Sequence, residues 1–294
     1  EASTESTADK KPDNKKNDKK EESSSKEEQE TQTAKLENVY KAEYIKLDGT
    51  FENVSSLQYF EDKLYFGSYF FDGAYKFSMF EMGLDGTNIR QIPVEANENT
   101  NVMDFFFTKD GNIVYFQIEY DYGEEYSYSE KFAVKVIDRE GNLIREINLD
   151  TLGESEETLY FNSIDCDDDG NFYLNCGNKL FILDSAGNKL FDIEVTDYIQ
   201  NLLKMKDGTM IVSDYSQNGL QFRKIDLATQ SLSEPLPADN LNYNYAMMDG
   251  VGDYDMYLQG TLSIYGYNFD TQKLEELVNW INSDINTDLI NTVT

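Results

Sequence analysis

The chain has 294 residues and a formal net charge of −31, with 56 acidic side chains, 25 basic ones and no histidine. A chain this acidic repels phosphate, so we expect no nucleic-acid partner and no binding to an anionic membrane surface. Without histidine it cannot build a Ser-His-Asp or Cys-His nucleophile, a histidine-ligated zinc site or an imidazole proton shuttle.

The first 35 residues differ in composition from the rest. They contain 10 acidic and 8 basic residues but no Leu, Ile, Val, Met or aromatic residue. Such a segment cannot bury enough apolar surface to offset the entropy of ordering, so residues 1–35 are predicted to be a disordered hydrophilic spacer. Residues 36–294 hold all 21 Tyr and all 18 Phe, which predicts one strand-rich domain.

Short apolar runs separated by turn residues follow one another through this domain. Segments 131–138 and 142–149 flank one Gly-containing turn, and segments 179–184 and 188–195 flank another, so each pair predicts a hairpin. The turns fall into two alternating classes. The first class is Asp62-Lys63, Asp110-Gly111-Asn112, Asp169-Gly170-Asn171, Asp207-Gly208-Thr209 and Gly252-Asp253. The second class is Asp85-Gly86-Thr87, Glu140-Gly141-Asn142, Ala186-Gly187-Asn188, Thr229-Gln230 and Asp270-Thr271-Gln272.

Interleaving the two classes gives five units of two hairpins each. Successive turns of the second class lie about 42 to 55 residues apart, close to the period of four-stranded propeller blades. The sequence therefore predicts an all-β propeller, with a β-sandwich as the competing fold. Residues 288–294 resemble the start of a further unit, so we expect the native chain to continue beyond Thr294 and this domain to be truncated. Segment 42–47 is predicted to be the outer strand that closes the ring.

Alternating carboxylates in one turn resemble a calcium loop. Asp165, Asp167 and Asp169 precede Gly170 in the pattern D-x-D-x-D-G, and carboxylates placed in this way can converge on a hard cation. The twelfth position of an EF-hand should be Glu, but it is Cys176, so an EF-hand is excluded. The turn also fits the hairpin repeat, and we favour an acidic hairpin turn with no cofactor, keeping calcium as the alternative.

The two cysteines are predicted to be free thiols. If the turn centres on Asp169-Gly170, Cys166 lies opposite Tyr173 and Cys176 lies opposite Ser163. The two thiols are then about three residues apart along the strands, roughly 10 Å, which exceeds the span of a disulfide.

Four tyrosines lie among acidic residues between two predicted strands, at Tyr120, Tyr122, Tyr126 and Tyr128. Exposed rings of this kind can stack on sugar rings while neighbouring carboxylates accept hydrogen bonds from hydroxyl groups. The segment is a candidate ligand-binding loop for a small molecule or an oligosaccharide. Tyrosine is also common in long propeller hairpins, which is the structural alternative.

Several segments together resemble a known family. These are FEMGLDGTNIRQI, SIDCDDDGNFYL, LLKMKDGTMIVSDY and SIYGYNFDTQKLEELVNWINSDI, preceded by the acidic and Ser-rich spacer. The pattern resembles the N-terminal propeller-like region of extracellular solute-binding lipoproteins of Gram-positive anaerobes, over about residues 40–294. In such proteins a lipidated Cys precedes the spacer, and a solute-binding domain follows the propeller. Neither lies within this sequence.

The resemblance implies a cell-surface propeller module of a solute-binding lipoprotein that serves an ABC importer, with carbohydrate as the solute. We expect it not to be an enzyme, to be extracellular, and to contact the membrane only through an N-terminal lipid anchor outside this chain. Its expected partners are an ABC permease or another surface protein. The alternatives are a secreted propeller enzyme that acts on glycans with an Asp/Glu pair, and a protein-interaction scaffold.

Overall fold

The architecture comes from a computed structural model. It describes residues 47, 51–71, 75–122, 128–152, 159–195, 198–216, 219–238, 241, 246–260 and 263–279. All the regular elements in these ranges are β-strands. The described residues accordingly include no helix that is long and apolar enough to cross a membrane. The predicted spacer at 1–35 lies outside the described residues, as does the predicted further unit at 288–294. The predicted closing strand at 42–47 also lies outside them, apart from Leu47.

The described ranges contain twenty strands. In chain order they are β1 (Val54–Phe60), β2 (Lys63–Phe71), β3 (Tyr75–Gly83), β4 (Arg90–Ile92), β5 (Thr100–Phe107), β6 (Ile113–Tyr122), β7 (Tyr128–Ile137), β8 (Leu143–Asn148), β9 (Ser163–Cys166), β10 (Phe172–Cys176), β11 (Lys179–Leu183), β12 (Lys189–Glu194), β13 (Ile199–Lys204), β14 (Met210–Ser216), β15 (Gly219–Asp226), β16 (Ser231–Leu232), β17 (Ala246–Asp249), β18 (Met256–Gln259), β19 (Ser263–Asn268) and β20 (Lys273–Asn279).

These strands form five antiparallel sheets of four strands, each in sequence order, which are the blades of a five-bladed propeller. Blade 1 is β1–β4, blade 2 is β5–β8, blade 3 is β9–β12, blade 4 is β13–β16 and blade 5 is β17–β20. The five predicted units are confirmed. Each first-class turn joins the first and second strands of a blade, and each second-class turn joins the third and fourth.

The hydrophobic core lies between neighbouring blades. Tyr65 and Met79 of blade 1 pack with Phe105 and Tyr115 of blade 2 in one cluster, and similar clusters join blades 2 and 3, 3 and 4, and 4 and 5. A strand that is buried on both faces reads as a continuous apolar run. The second strand of blade 2 shows this, because its first six residues, 113–118, are all buried.

The turn between β9 and β10 determines which residue of β10 lies opposite Cys166. Cys166 lies opposite Phe172, one residue from the predicted partner. The shift arises because Gly170, at φ +82°, takes the left-handed position of a three-residue loop instead of the centre of a two-residue turn. Both cysteines are free, as predicted. Burial raises the pKa of the Cys166 thiol to about 12, so this thiol is inert at neutral pH.

Candidate functional site

The first strand of every blade carries a polar residue towards the centre of the propeller. The contacts run from β1 to β5, β5 to β9, β9 to β13 and β13 to β17, so these five strands form the inner wall. The polar residues are Ser56, Asp104, Asp165, Lys204 and Asp249, one from each inner strand. Electrostatic interactions link Asp165 to Asp104, Lys204 and Asp249 across four blades. These five residues are termed the axial cluster.

Backbone irregularities accompany two members of the axial cluster. The pairing of β1 with β2 shifts register between Ser55 and Gln58, where Ser56 has φ +51°. The pairing of β5 with β6 shifts between Val102 and Asp104. A β-bulge bends the strand locally and re-aims a side chain. Both register shifts therefore lie at the position where the inner strand carries its polar residue, Ser56 or Asp104.

Hydrogen bonds hold the three carboxylates. The Ser56 side chain hydrogen-bonds to Asp104. The backbone N–H of Lys204 donates to Asp249 Oδ1 at 2.8 Å, which ties blade 4 to blade 5. Asp165 Oδ1 accepts the N–H of the next residue at 2.7 Å. Each carboxylate is thus held by at least one donor, and two of these donors come from a neighbouring blade.

Lys204 supplies the positive charge of the axial cluster. Its Nζ donates to the carbonyl oxygen of Cys166 at 3.5 Å. Burial by itself would lower the pKa of Lys204, but Asp165 and the other nearby acidic groups raise it above the ordinary value. The ammonium group therefore stays charged at neutral pH.

The three carboxylates differ in their surroundings. Asp165 is 8% exposed, and burial, followed by the negative charge of Asp249, raises its pKa to about 8 even with Lys204 close by. Asp104 and Asp249 are exposed to solvent, but desolvation among the inner strands raises the pKa of each above its usual range. At neutral pH Asp165 is therefore mainly protonated, beside two carboxyls that reach water.

This arrangement is suited to acid–base chemistry. Two carboxyl groups whose environments push their pKa values apart can serve as general acid and general base in one site. Asp165 has the environment of the acid, because it is buried and keeps its proton at pH 7. Asp249 is the candidate base, because it reaches solvent and accepts the Lys204 N–H at 2.8 Å, a bond that partly offsets the upward effect of desolvation on its pKa.

The predicted calcium residues are not brought together. Asp165 belongs to the axial cluster, whereas Asp167 caps its own turn by accepting the backbone N–H groups of Asp169 and Asn171 at 3.0 and 2.9 Å. The Tyr173 hydroxyl also donates to Asp167, at 2.8 Å. No group of three Asp, Glu, Cys or His side chains in the described ranges is placed to hold a metal ion. These contacts are those of an acidic hairpin turn.

The predicted tyrosine loop is described in part. Tyr120 and Tyr122 stack with ring centroids 6.3 Å apart, and Tyr122 is 66% exposed. Tyr128 pairs with Tyr122 across the hairpin, whereas Tyr126 lies outside the described residues. The structure thus brings two of the four rings, Tyr120 and Tyr122, together at the end of the β6–β7 hairpin. Both rings belong to blade 2, and neither residue is part of the axial cluster.

Sequence reasoning found Asp165 but missed the rest of the axial cluster. The available signal was a polar residue inside an apolar inner strand, a few residues before a first-class turn. It is visible as Asp104 in VMDFFF, Lys204 in LLKMK and Asp249 in MMDG. In a chain with 56 acidic and 25 basic side chains, two more aspartates and one lysine in strands were not distinctive without the blade order.

Comparisons with known proteins identify the fold. No family model matches the chain, and no curated protein sequence matches it. Among solved structures, a protein of unknown function from Bacteroides caccae is 12% identical with a TM-score of 0.51, covering 79% of this chain and 82% of that one. A puromycin-hydrolyzing peptidase from Mycobacterium tuberculosis is 12% identical with a TM-score of 0.49, covering 80% of this chain but only 38% of that one.

A third structure, the GH43 protein BlXynB from Bacillus licheniformis, is 13% identical with a TM-score of 0.45, covering 81% of this chain and 56% of that one. Likeness at this identity shows the propeller fold and nothing finer. It still corrects one prediction. The expectation that the chain is not an enzyme is overturned, because hydrolytic proteins such as the peptidase are among the structures that match this chain, so its fold gives no ground for that expectation. Neither this fold nor the lack of histidine excludes catalysis.

Proposed function

We propose that the protein hydrolyses glycosidic bonds at the axial cluster. The observation that carries the proposal is the pairing of a buried carboxyl that keeps its proton, Asp165, with a carboxyl that reaches solvent, Asp249, beside Lys204. Glycoside hydrolysis requires one carboxylic acid and one carboxylate, and it needs neither histidine nor a metal. The strong negative charge disfavours phosphorylated and other anionic substrates, so neutral glycans are the proposed substrate class.

Each residue has a role in this reaction. Asp165 donates its proton to the leaving glycosidic oxygen as the bond from that oxygen to the anomeric carbon breaks. A water molecule attacks the anomeric carbon and gives up a proton to Asp249. The Lys204 backbone N–H orients Asp249 at 2.8 Å, and the Lys204 ammonium stabilises negative charge in the cluster. Asp104, held by Ser56, is a further contact for sugar hydroxyls.

The test is hydrolysis of a panel of 4-nitrophenyl glycosides and neutral oligosaccharides by the full chain. Asp165→Asn and Asp249→Asn should each lower kcat by about 100-fold or more, the usual contribution of a general acid or base. Asp110→Asn, which removes an exposed turn carboxylate, is the matched control and should leave kcat unchanged. Activity should fall as pH rises through about 8, where Asp165 loses its proton. No turnover of any member, or turnover insensitive to both axial variants, contradicts the proposal.

The cellular setting is a second part of the proposal. The hydrophilic composition of residues 1–35 and the resemblance to surface lipoproteins support a protein held outside the cell by a lipid anchor upstream of this chain. Sugars released there would be delivered to an ABC importer, whose permease or another surface protein is the proposed partner. Antibody labelling of intact cells that express the native gene tests this location. Signal only after permeabilisation would contradict it.

A further inference from the structure

A cavity of about 500 Å³ lies on blade 1, away from the axial cluster. Its walls come from the ends of β2 and β3, from β4, and from the connection at 93–99 that leads to β5. Its volume falls in the range of small-molecule sites. None of the five residues of the axial cluster lines it, so this is a separate site.

Pro93 explains why blade 1 is open here. β4 has only three residues and pairs with β3 at Met79, Phe80 and Glu81. A proline cannot donate a backbone hydrogen bond, so the ladder ends at Ile92 and the chain leaves the edge of β3. In blade 2 the corresponding strand, β8, pairs along five residues of β7. The gap between β3 and the departing chain is the cavity.

The polar wall of the cavity is fixed by its own hydrogen bonds. Gln91 Nε2 donates to Ser78 Oγ at 3.2 Å, which orients the amide and leaves its carbonyl oxygen as an acceptor. Asn97 Oδ1 accepts the N–H of Asn99 at 2.7 Å, which leaves the Asn97 NH₂ group as a donor. The Asn97 N–H itself donates to Thr100 Oγ1 at 2.7 Å. A wall held in this way loses little conformational entropy when a ligand binds.

The remaining walls determine the chemical class of the ligand. Phe70 and Val94 supply an apolar surface, while Lys76 and Glu98 are the two charged lining residues and have opposite signs. The net charge of −31 disfavours an anionic ligand. A sugar ring matches these walls, because it offers an apolar face to an aromatic ring, and each of its hydroxyl groups both donates and accepts hydrogen bonds.

We infer that this cavity is a separate binding subsite for a neutral sugar residue of a glycan. The inference rests on the proposed function only for the choice of glycans over other neutral, hydroxyl-rich molecules. The Tyr120 N–H donates to the carbonyl oxygen of Asn99 at 2.8 Å, so the backbone of β6 anchors the cavity wall at Asn99, whereas the Tyr120 ring packs against the core between blades 2 and 3.

The experiment is calorimetric titration of the full chain with xylotriose, cellotriose, maltotriose and mannotriose, and with tri-galacturonate as the anionic control. At least one neutral trisaccharide should bind, and tri-galacturonate should not. Phe70→Ala and Asn99→Ala should each weaken binding about tenfold. Phe71→Ala is the matched aromatic control, because consecutive strand residues point to opposite faces, and Asn162→Ala is the matched amide control on blade 3. Both controls should bind within about twofold of the wild type.

Circular dichroism of each variant checks that it is folded. No binding of any neutral trisaccharide overturns the inference, and so does equal weakening by the control variants. Binding that survives both cavity variants but is lost in Asp165→Asn also overturns it, because the sugar then binds at the axis. Binding that depends on Phe70 and Asn99 in a protein without hydrolytic activity supports the inference and contradicts only the proposed function.

Discussion

Replacing Asp165 with Asn should make the protein more stable at neutral and alkaline pH. In the wild type, burial raises the pKa of Asp165 from 3.8 to about 8. The unfolded chain therefore releases this proton at a lower pH than the folded protein does. Well below pH 3.8 both states are protonated, so Asp165 has no effect there. As pH rises from 4 to 8, Asp165 ionises in the unfolded chain but not in the folded protein. This ionisation stabilises the unfolded state, so the contribution of Asp165 to the free energy of unfolding falls.

The size of the effect follows from the pKa difference. One pKa unit corresponds to about 1.4 kcal/mol, so a rise from 3.8 to about 8 lowers the free energy of unfolding by about 6 kcal/mol over this pH range. Asn has the same shape and keeps the acceptor for the Cys166 N–H, which lies 2.7 Å from Asp165 Oδ1. The variant therefore removes the pH-dependent penalty without leaving a cavity.

Urea unfolding of both proteins at several pH values between 4 and 9 measures the difference. The stability advantage of Asp165→Asn should be near zero at pH 4 and should grow steadily to pH 8. The same variant should lose hydrolytic activity, so a gain of stability and a loss of function would coincide in one residue. A stability difference that does not change with pH would refute the reasoning, because Asp165 would then ionise normally in the folded state.

Three further predictions concern the frame around the site. Glu81→Gln should cost about 3 kcal/mol at pH 7, because Glu81 is 7% exposed between a lysine and an arginine. Its pKa is lowered to about 2, so urea unfolding should show this cost shrinking as pH falls from 4.5 towards 2. Gly141→Ala should lower the melting temperature far more than Gly252→Ala, because a Cβ at Gly141 would lie 2.4 Å from the Pro93 carbonyl oxygen, and one at Gly252 would meet nothing within 4 Å; equal losses would contradict this. Cys166, which is 1% exposed, should react with a thiol reagent only after unfolding, and rapid labelling of the native protein would show that its strand opens.

The acidic turns account for part of the negative charge. Asp138, Asp167 and Asp184 each accept backbone N–H groups two and four residues further along the chain. These bonds satisfy donors that a tight turn would otherwise leave without a partner. A carboxylate at these positions is therefore a structural element of the blade. This is why the D-x-D-x-D-G pattern forms a turn without gathering its carboxylates around one centre.

The sequence alone determined the number of hairpins and their order, because those are local properties. Alternating apolar residues set the strands, and Gly and Asp set the turns, as at Gly141 and Gly170, where positive φ favours glycine. The axial cluster could not be predicted in the same way. Asp104, Asp165, Lys204 and Asp249 are separated by 39 to 145 residues in the chain, and only closure of the blades brings their strands together.

The cavity on blade 1 could not be predicted from the sequence either. It depends on where β4 ends against β3 and on the path that residues 93–99 then take, and both are set by packing against blade 2. The protonation state of each carboxyl could not be predicted from the sequence, because a pKa depends on burial and on neighbours that are distant in sequence. Sequence determined which strands and turns form, whereas tertiary structure decided which polar groups meet, how deeply each is buried and which of them keeps its proton.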